Sequence, residues 1–169
     1  MTVFETLRAR CRRFKKGDEA EALSFYGDPE VMKLVGDGTL GCNMQNIGAR
    51  LQQYIDYYQQ CPGLGWWGVN LKAGGPLVGE VGLHSLEDSG LIEVGYLLSK
   101  SQWGKGLATE LALGAIQYGF EKLDLRKISA VCHPENQASI NVLTKCGMRQ
   151  IGTGNFYNRS SLVFEIEKS

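Results

Sequence analysis

The residues of this chain best suited by type and order to chemistry are Gln102-Trp103-Gly104-Lys105-Gly106-Leu107-Ala108-Thr109. They follow an apolar run, Ile92-Glu93-Val94-Gly95-Tyr96-Leu97-Leu98, and open a long amphipathic segment. Glycines let successive backbone N–H groups turn toward one point. The first turn of a helix adds unpaired N–H donors and the positive end of its dipole, so a pyrophosphate can be held there with little side-chain help. A plain tight turn at a helix start has the same pattern, so the motif needs a second element before it specifies a ligand.

That second element lies downstream. A β-like run, Lys127-Ile128-Ser129-Ala130-Val131-Cys132, leads through His133-Pro134-Glu135-Asn136 into another helix with Ser139 in its first turn and Lys145-Cys146-Gly147-Met148 at its end. Each residue has a plain structural use, since Asn before a helix is a good N-cap and Ser a small helix residue. Taken together, Gly-x-Gly-x-Ala opening one helix and Asn-x-x-Ser opening the next resemble the GCN5-related N-acetyltransferase (GNAT) superfamily. The resemblance is nearest to its RimJ/RimL-type branch of ribosomal-protein alanine acetyltransferases. Residues 76–152 carry the specific match, and the N-terminal half agrees in layout only.

The resemblance implies acetyl-CoA as co-substrate, no metal, and acyl transfer to a primary amine. In such proteins the two strands that here end at Leu98 and His133 run parallel and splay apart, and the pantetheine arm enters the gap to pair with the free strand edge. On that analogy backbone groups of Leu97 and Leu98 hold pantetheine, although two leucines there also suit ordinary core packing. Those of Gly104, Lys105, Gly106, Leu107, Ala108 and Thr109 hold the pyrophosphate, Asn136 hydrogen-bonds pantetheine, and Ser139 faces the thioester sulfur. Many relatives place a tyrosine late in the second helix to protonate the departing thiolate. Here Leu143 stands at that place, which leaves Ser139 as the donor, and Trp103 stands where most relatives have Gln or Arg.

An amine acceptor is mostly protonated at neutral pH and must lose a proton before it attacks. Glu93 is the best candidate for the general base, acting through water, and many relatives have a glutamate at a similar point of this strand. Strand alternation sets Glu93 with Gly95 and Leu97 on one face and Ile92, Val94 and Tyr96 on the other, so an exposed structural Glu is the alternative. Glu80 and His84 on the neighbouring strand are the other candidates. The branch favours the α-amine of a protein or peptide, with small-molecule amines such as polyamines, aminoglycosides or amino acids open. Trp66-Trp67 and Tyr54, Tyr57 and Tyr58 suit either an acceptor wall or packing. A CoA-binding regulatory module without turnover is the alternative of a different class; it would lack the base and the donor.

Composition narrows the field. The 169 residues carry 18 Lys plus Arg against 18 Asp plus Glu, which argues against a general nucleic-acid binder. The basic run Arg8-x-Arg10-x-Arg12-Arg13 alternates with Leu7, Ala9 and Cys11 and reads as a half-buried strand. Five unevenly spaced cysteines and no apolar stretch near Met1 suggest a reduced, cytoplasmic protein, and two histidines without clustered carboxylates suggest no metal site. No run is long enough to span a membrane. A homodimer is left open.

The elements that must position these residues follow in order. A strand from Leu7 to Phe14 precedes a helix through Tyr26, stopping before Asp28-Pro29, and a Gly-rich turn precedes a helix capped by Asn43 and running to Gln60. Three strands, Trp66 to Leu71, Leu77 to Leu83 and Leu91 to Leu98, are separated by short turns and form an antiparallel meander. A helix from Lys105 to Leu123 crosses over to the strand beginning at Lys127 and makes a parallel pair. A helix from Gln137 to Cys146 follows, and strands Gln150 to Gly154 and Ser161 to Ile166 close around Gly154-Asn155. With no repeat or linker, the expectation is one mixed α/β domain, residues 1–169, with a GNAT-type, mostly antiparallel twisted sheet flanked by helices.

Overall fold

The computed structural model describes residues 1–36 and 43–169, and most of the Gly-rich turn expected ahead of Asn43 lies outside them. Eight strands form one sheet: β1 (Thr2–Glu5), β2 (Ala9–Arg13), β3 (Gly65–Leu71), β4 (Leu77–Ser85), β5 (Ile92–Leu98), β6 (Lys127–Cys132), β7 (Arg149–Phe156) and β8 (Arg159–Glu167). Their order is β1-β2-β3-β4-β5-β6-β8-β7, antiparallel at every step except β5 to β6. That exception follows from the crossover helix α4 (Leu107–Lys122), which returns the chain to the same end of the sheet.

Helices cover both faces. α4 and α5 (Gln137–Lys145) lie on one, where Leu111, Ala112, Ala115, Ile116 and Leu143 pack with Val81, Leu83, Val94, Leu98 and Ile128. On the other, α1 (Glu19–Tyr26), the single turn α2 (Pro29–Met32) and α3 (Met44–Gln60) pack Phe25, Tyr26, Val31, Ile47 and Leu51 against Phe14, Leu77 and Leu97. Asn43 caps α3 as expected, accepting from the Asn46 amide; Asp28, expected only to mark the stop of the first helix, also caps α2 by accepting from the Glu30 amide just ahead of Pro29.

Two sequence expectations are corrected. The strand expected from Leu7 to Phe14 is shorter, Ala9–Arg13; Ala9 and Cys11 are buried as the alternation requires, but Leu7 is exposed. A further edge strand, Thr2–Glu5, precedes it and is too short to display a period. At the other end of the chain the closing strands run past Gly154 to Phe156, and the hairpin turns at Tyr157-Asn158, both in the left-handed region with φ of 52° and 57°. Asn adopts that region readily and Tyr does not, so Gly154, three residues before Tyr157, looked the better turn.

The register of β4 with β5 sets the working face. Glu80 lies opposite Leu97, Gly82 opposite Gly95, and His84 opposite Glu93. A Cβ on Gly95 would run into the Trp66 ring, and one on Gly82, opposite Trp66 on β3, into the Gly65 carbonyl with Trp66 tight beside it. The two glycines therefore form a trough for the indole, which stacks on the His84 ring with centroids 4.4 Å apart. Between β5 and β6 the only registered pair is Glu93 with Ser129.

Candidate active site

A cleft of about 510 Å³ opens where β5 and β6 part, lined among others by Glu93, Tyr96, Leu97, Asn136, Ser139 and Tyr157. The ladder determines which backbone groups are available there. Ser99 donates to the Val78 carbonyl and Leu86 to that of Leu91, so alternate residues of β5, including Leu97, bond toward β4. The same alternation turns the N–H and C=O of Tyr96 and Leu98 toward the gap. The Leu98 carbonyl accepts from the Trp103 indole N–H at 2.9 Å, which gives the unusual Trp103 a role in pinning the loop to its strand. Leu97 lines the cleft, and its side chain packs in the core with Phe25, Leu51 and Leu77.

The Gly-rich loop has the form expected of an anion cradle. Gly104 and Gly106 both have positive φ, 71° and 73°, which few other residues tolerate. Gly106 caps α4 without any side-chain acceptor, so the amides of Leu107, Ala108 and Thr109 have no partner among the described residues at the start of the helix. A Cβ at Gly104 would meet open space, and one at Gly106 only Arg8 at 3.9 Å, so the surface is clear for a ligand. Arg8 braces the loop from outside by donating to the Lys105 carbonyl and to Glu110.

On the far side of the gap Asn136 caps α5, accepting from the Ser139 amide at 3.1 Å. The capping role expected of Asn136 is thus real, and it fixes the side chain with its NH₂ end left for another partner. The Ser139 hydroxyl lies 2.9 Å from the Tyr96 hydroxyl, and Leu143 is buried beside them. Sequence reading missed Tyr96, whose place on the face opposite Glu93 is what brings it to α5.

Glu93 is 5 % exposed, which removes the reading of an exposed structural residue. Tyr157 donates to its Oε2 at 2.6 Å, and the Val131 amide reaches its Oε1 at 3.4 Å. Burial pushes its pKa up to about 7, against the opposing pull of those two donors. His84 Nε2 lies 3.5 Å from Glu93 Oε2 and has no hydrogen-bond partner among the described residues, while His84 Nδ1 faces the Ser85 carbonyl at 3.1 Å. That carbonyl holds the proton on Nδ1 and leaves the Nε2 lone pair facing Glu93. Burial pulls His84 down to about 4, so the contact is a neutral imidazole beside a carboxyl group rather than an ion pair. Glu80, the other carboxyl candidate, is 2 % exposed and accepts from Tyr26 in a short hydrogen bond. Burial raises it to about 7 as well, with Arg50 opposing.

These buried groups make stability depend on pH. An unfolded carboxyl titrates near 4.3 and an unfolded imidazole near 6.5. Glu80 and Glu93, raised in the fold, contribute stability that is full below the ordinary carboxylate range and lost as pH rises through about 7. His84 acts in the opposite sense, its contribution lost as pH falls toward about 4. Two carboxyls outweigh one imidazole, so the unfolding free energy falls as pH rises from 5 towards 7, by about 1.4 kcal/mol per pH unit for each net proton, and Tm falls with it. Glu93→Gln flattens the slope. Thermal unfolding at pH 5, 6, 7 and 8 checks this, and a Tm that rose over that range would mean that both carboxyls are ionised in the fold.

Comparison with known proteins agrees with this geometry. A family model for the acetyltransferase (GNAT) domain matches residues 8–149. The uncharacterized N-acetyltransferase YoaA of Bacillus subtilis is 28% identical over 151 residues, 89% of this chain and 84% of that protein. Among solved structures, a GNAT-family acetyltransferase from Bacillus anthracis superposes with a TM-score of 0.83 at 24% identity over 99% of this chain and 98% of that one. RimL, the ribosomal L7/L12 alpha-N-protein acetyltransferase solved with coenzyme A, superposes with a TM-score of 0.82 at 12% identity, over 99% of this chain and 98% of that one. At these identities the two structures speak for the fold. Among the described residues no group of His, Cys, Asp and Glu could hold a metal, and no helix is long and apolar enough to cross a membrane.

Proposed function

Because the chain belongs to the GNAT family and is an N-acyltransferase using acetyl-CoA, we propose that it acetylates the α-amine of a protein or peptide N-terminus by direct attack in a ternary complex. The observation that carries this reading is Glu93, a buried carboxyl group of acidity near 7 at the point where β5 and β6 part. A base matched to neutral pH removes the proton most effectively from an ammonium group of ordinary acidity. An N-terminal α-amine, near 7.7 to 8.0, suits it better than a lysine-like amine near 10.4.

Acetyl-CoA enters along the open edge of β5, its pyrophosphate at Gly104 to Thr109 and its pantetheine amides beside Tyr96, Leu98 and the free end of Asn136. The acceptor comes from the opposite face of β5, where Tyr54, Trp66, Arg50 and Arg159 line the cleft. Glu93 takes the ammonium proton through water. The amine attacks the thioester carbonyl, the tetrahedral intermediate collapses, and the C–S bond breaks. Ser139, backed by Tyr96, donates to the departing thiolate from the α5 side. Base and donor thus lie on the two faces of one strand. The protein acceptor named for RimL supports the peptide reading.

Thiol release from acetyl-CoA, measured across N-terminal peptides and small amines, tests the proposal; turnover confined to small amines would refute the peptide acceptor. Ser139→Ala should lower kcat roughly tenfold with little change in acetyl-CoA affinity, because a donor to the leaving thiolate acts mainly in the transition state. Single-turnover rates check this, and an unchanged rate would remove Ser139 from the chemistry.

A further inference from the structure

Tyr157 occupies a place in the backbone that tyrosine seldom takes. It and Asn158 form the two-residue turn between β7 and β8, both with positive φ, where Asn-Gly would be the easier choice. A strained aromatic residue persists in a turn when its surroundings hold it, and such positions gather at functional sites. Two contacts hold this one. Its amide donates to Glu87 at 3.2 Å, and its hydroxyl reaches down to Glu93 at 2.6 Å, a contact between residues 64 apart in the chain.

From this juxtaposition we propose that Tyr157 is a positioning residue, its hydroxyl delivered by the left-handed turn so as to hold Glu93 in the carboxylate form and aimed at the acceptor amine. The inference rests on the reading of Glu93 as the base. Without that hydroxyl the carboxyl would face mainly groups that favour its neutral form. His84 of β4 offers a lone pair that accepts from the protonated acid. Glu87, ahead of β5, adds negative charge. Cys132 of β6 and Tyr96 of β5 are neutral neighbours, and the Val131 amide alone, at the longer distance of 3.4 Å, would favour the ion. Tyr157 also lines the cleft beside Glu93 from the β7–β8 side, so a single side chain both walls the site and bears on the proton affinity of its base.

Tyr157→Phe keeps the ring and removes the hydroxyl. In protein labelled with ¹³C at the glutamate carboxyls, with the Glu93 signal assigned by its loss in Glu93→Gln, the Glu93 midpoint should rise by about one to two pH units in Tyr157→Phe, the scale of one hydrogen bond to a charged group. The acid limb of kcat/KM should move up by the same amount, giving roughly a tenfold loss at pH 7 that recovers above pH 9. An unmoved carboxyl midpoint overturns the inference. A midpoint that moves while the rate limb stays in place upholds the hold of Tyr157 on Glu93 and instead overturns Glu93 as the base.

Discussion

Glu93→Gln should lower the rate near neutral pH by about a hundredfold to ten-thousandfold while acetyl-CoA still binds. The amide keeps the shape of the carboxyl and can accept from Tyr157, as the carboxylate does in the 2.6 Å contact, so the cleft survives. What is lost is the proton acceptor. The deficit should shrink as pH rises, because the acceptor amine then sheds its proton unaided, whereas the parent should gain most of its rate through the titration of Glu93 near 7. Rates over pH 6 to 10 with a substrate whose chemical step limits turnover check the effect. Equal profiles for variant and parent would transfer the role to His84, whose Nε2 lone pair faces the same space, or to Glu80.

Gly106→Asp should raise the Kd for acetyl-CoA by roughly thirtyfold to a thousandfold, from about 2–4 kcal/mol of charge repulsion between its carboxylate and a pyrophosphate at the helix start. The substitution does not clash, since the nearest atom to a Cβ there is Arg8 Nη2 at 3.9 Å, and Asp tolerates left-handed backbone better than most residues. Arg8 is already paired with Glu110 at 2.6 Å. Gly106→Ala carries the backbone strain without the charge, so the difference between the two variants in calorimetry isolates the electrostatic part. Normal binding by a folded Gly106→Asp would place the phosphates elsewhere.

What the sequence made legible was whatever depends on neighbours in the chain. The glycines of the loop, the caps at Asn43 and Asn136, and the alternation that puts Glu93 and Tyr96 on opposite faces of β5 all follow from local rules. The missed residues are joined across long spans: Tyr96 meets Ser139 over 43 positions and Tyr157 meets Glu93 over 64. Tyr157 had a signal, a Tyr-Asn pair between two alternating runs, but the glycine nearby drew the turn to itself. The trough for Trp66 also had one, a glycine on each of two adjacent strands, yet it becomes meaningful only once the register sets Gly82 opposite Gly95. Burial is the other quantity that one strand cannot report. The raised pKa of Glu93 comes from burial by elements distant in the chain, with a hydroxyl from the β7–β8 hairpin opposing it.

The lone β5–β6 pair at Glu93 and Ser129 leaves the sheet hinged like a book along one line, with β1 to β5 as one leaf and β6, β8 and β7 as the other. Few main-chain rungs cross that spine, so α4, rooted at its N-terminal end beside the Gly-rich loop, carries much of the connection between the leaves. A guest that pairs with the free edge of β5 and rests on the start of α4 touches the spine and its brace together. Whatever fills the opening therefore lies against both leaves at the line where the sheet itself joins them by a single registered pair.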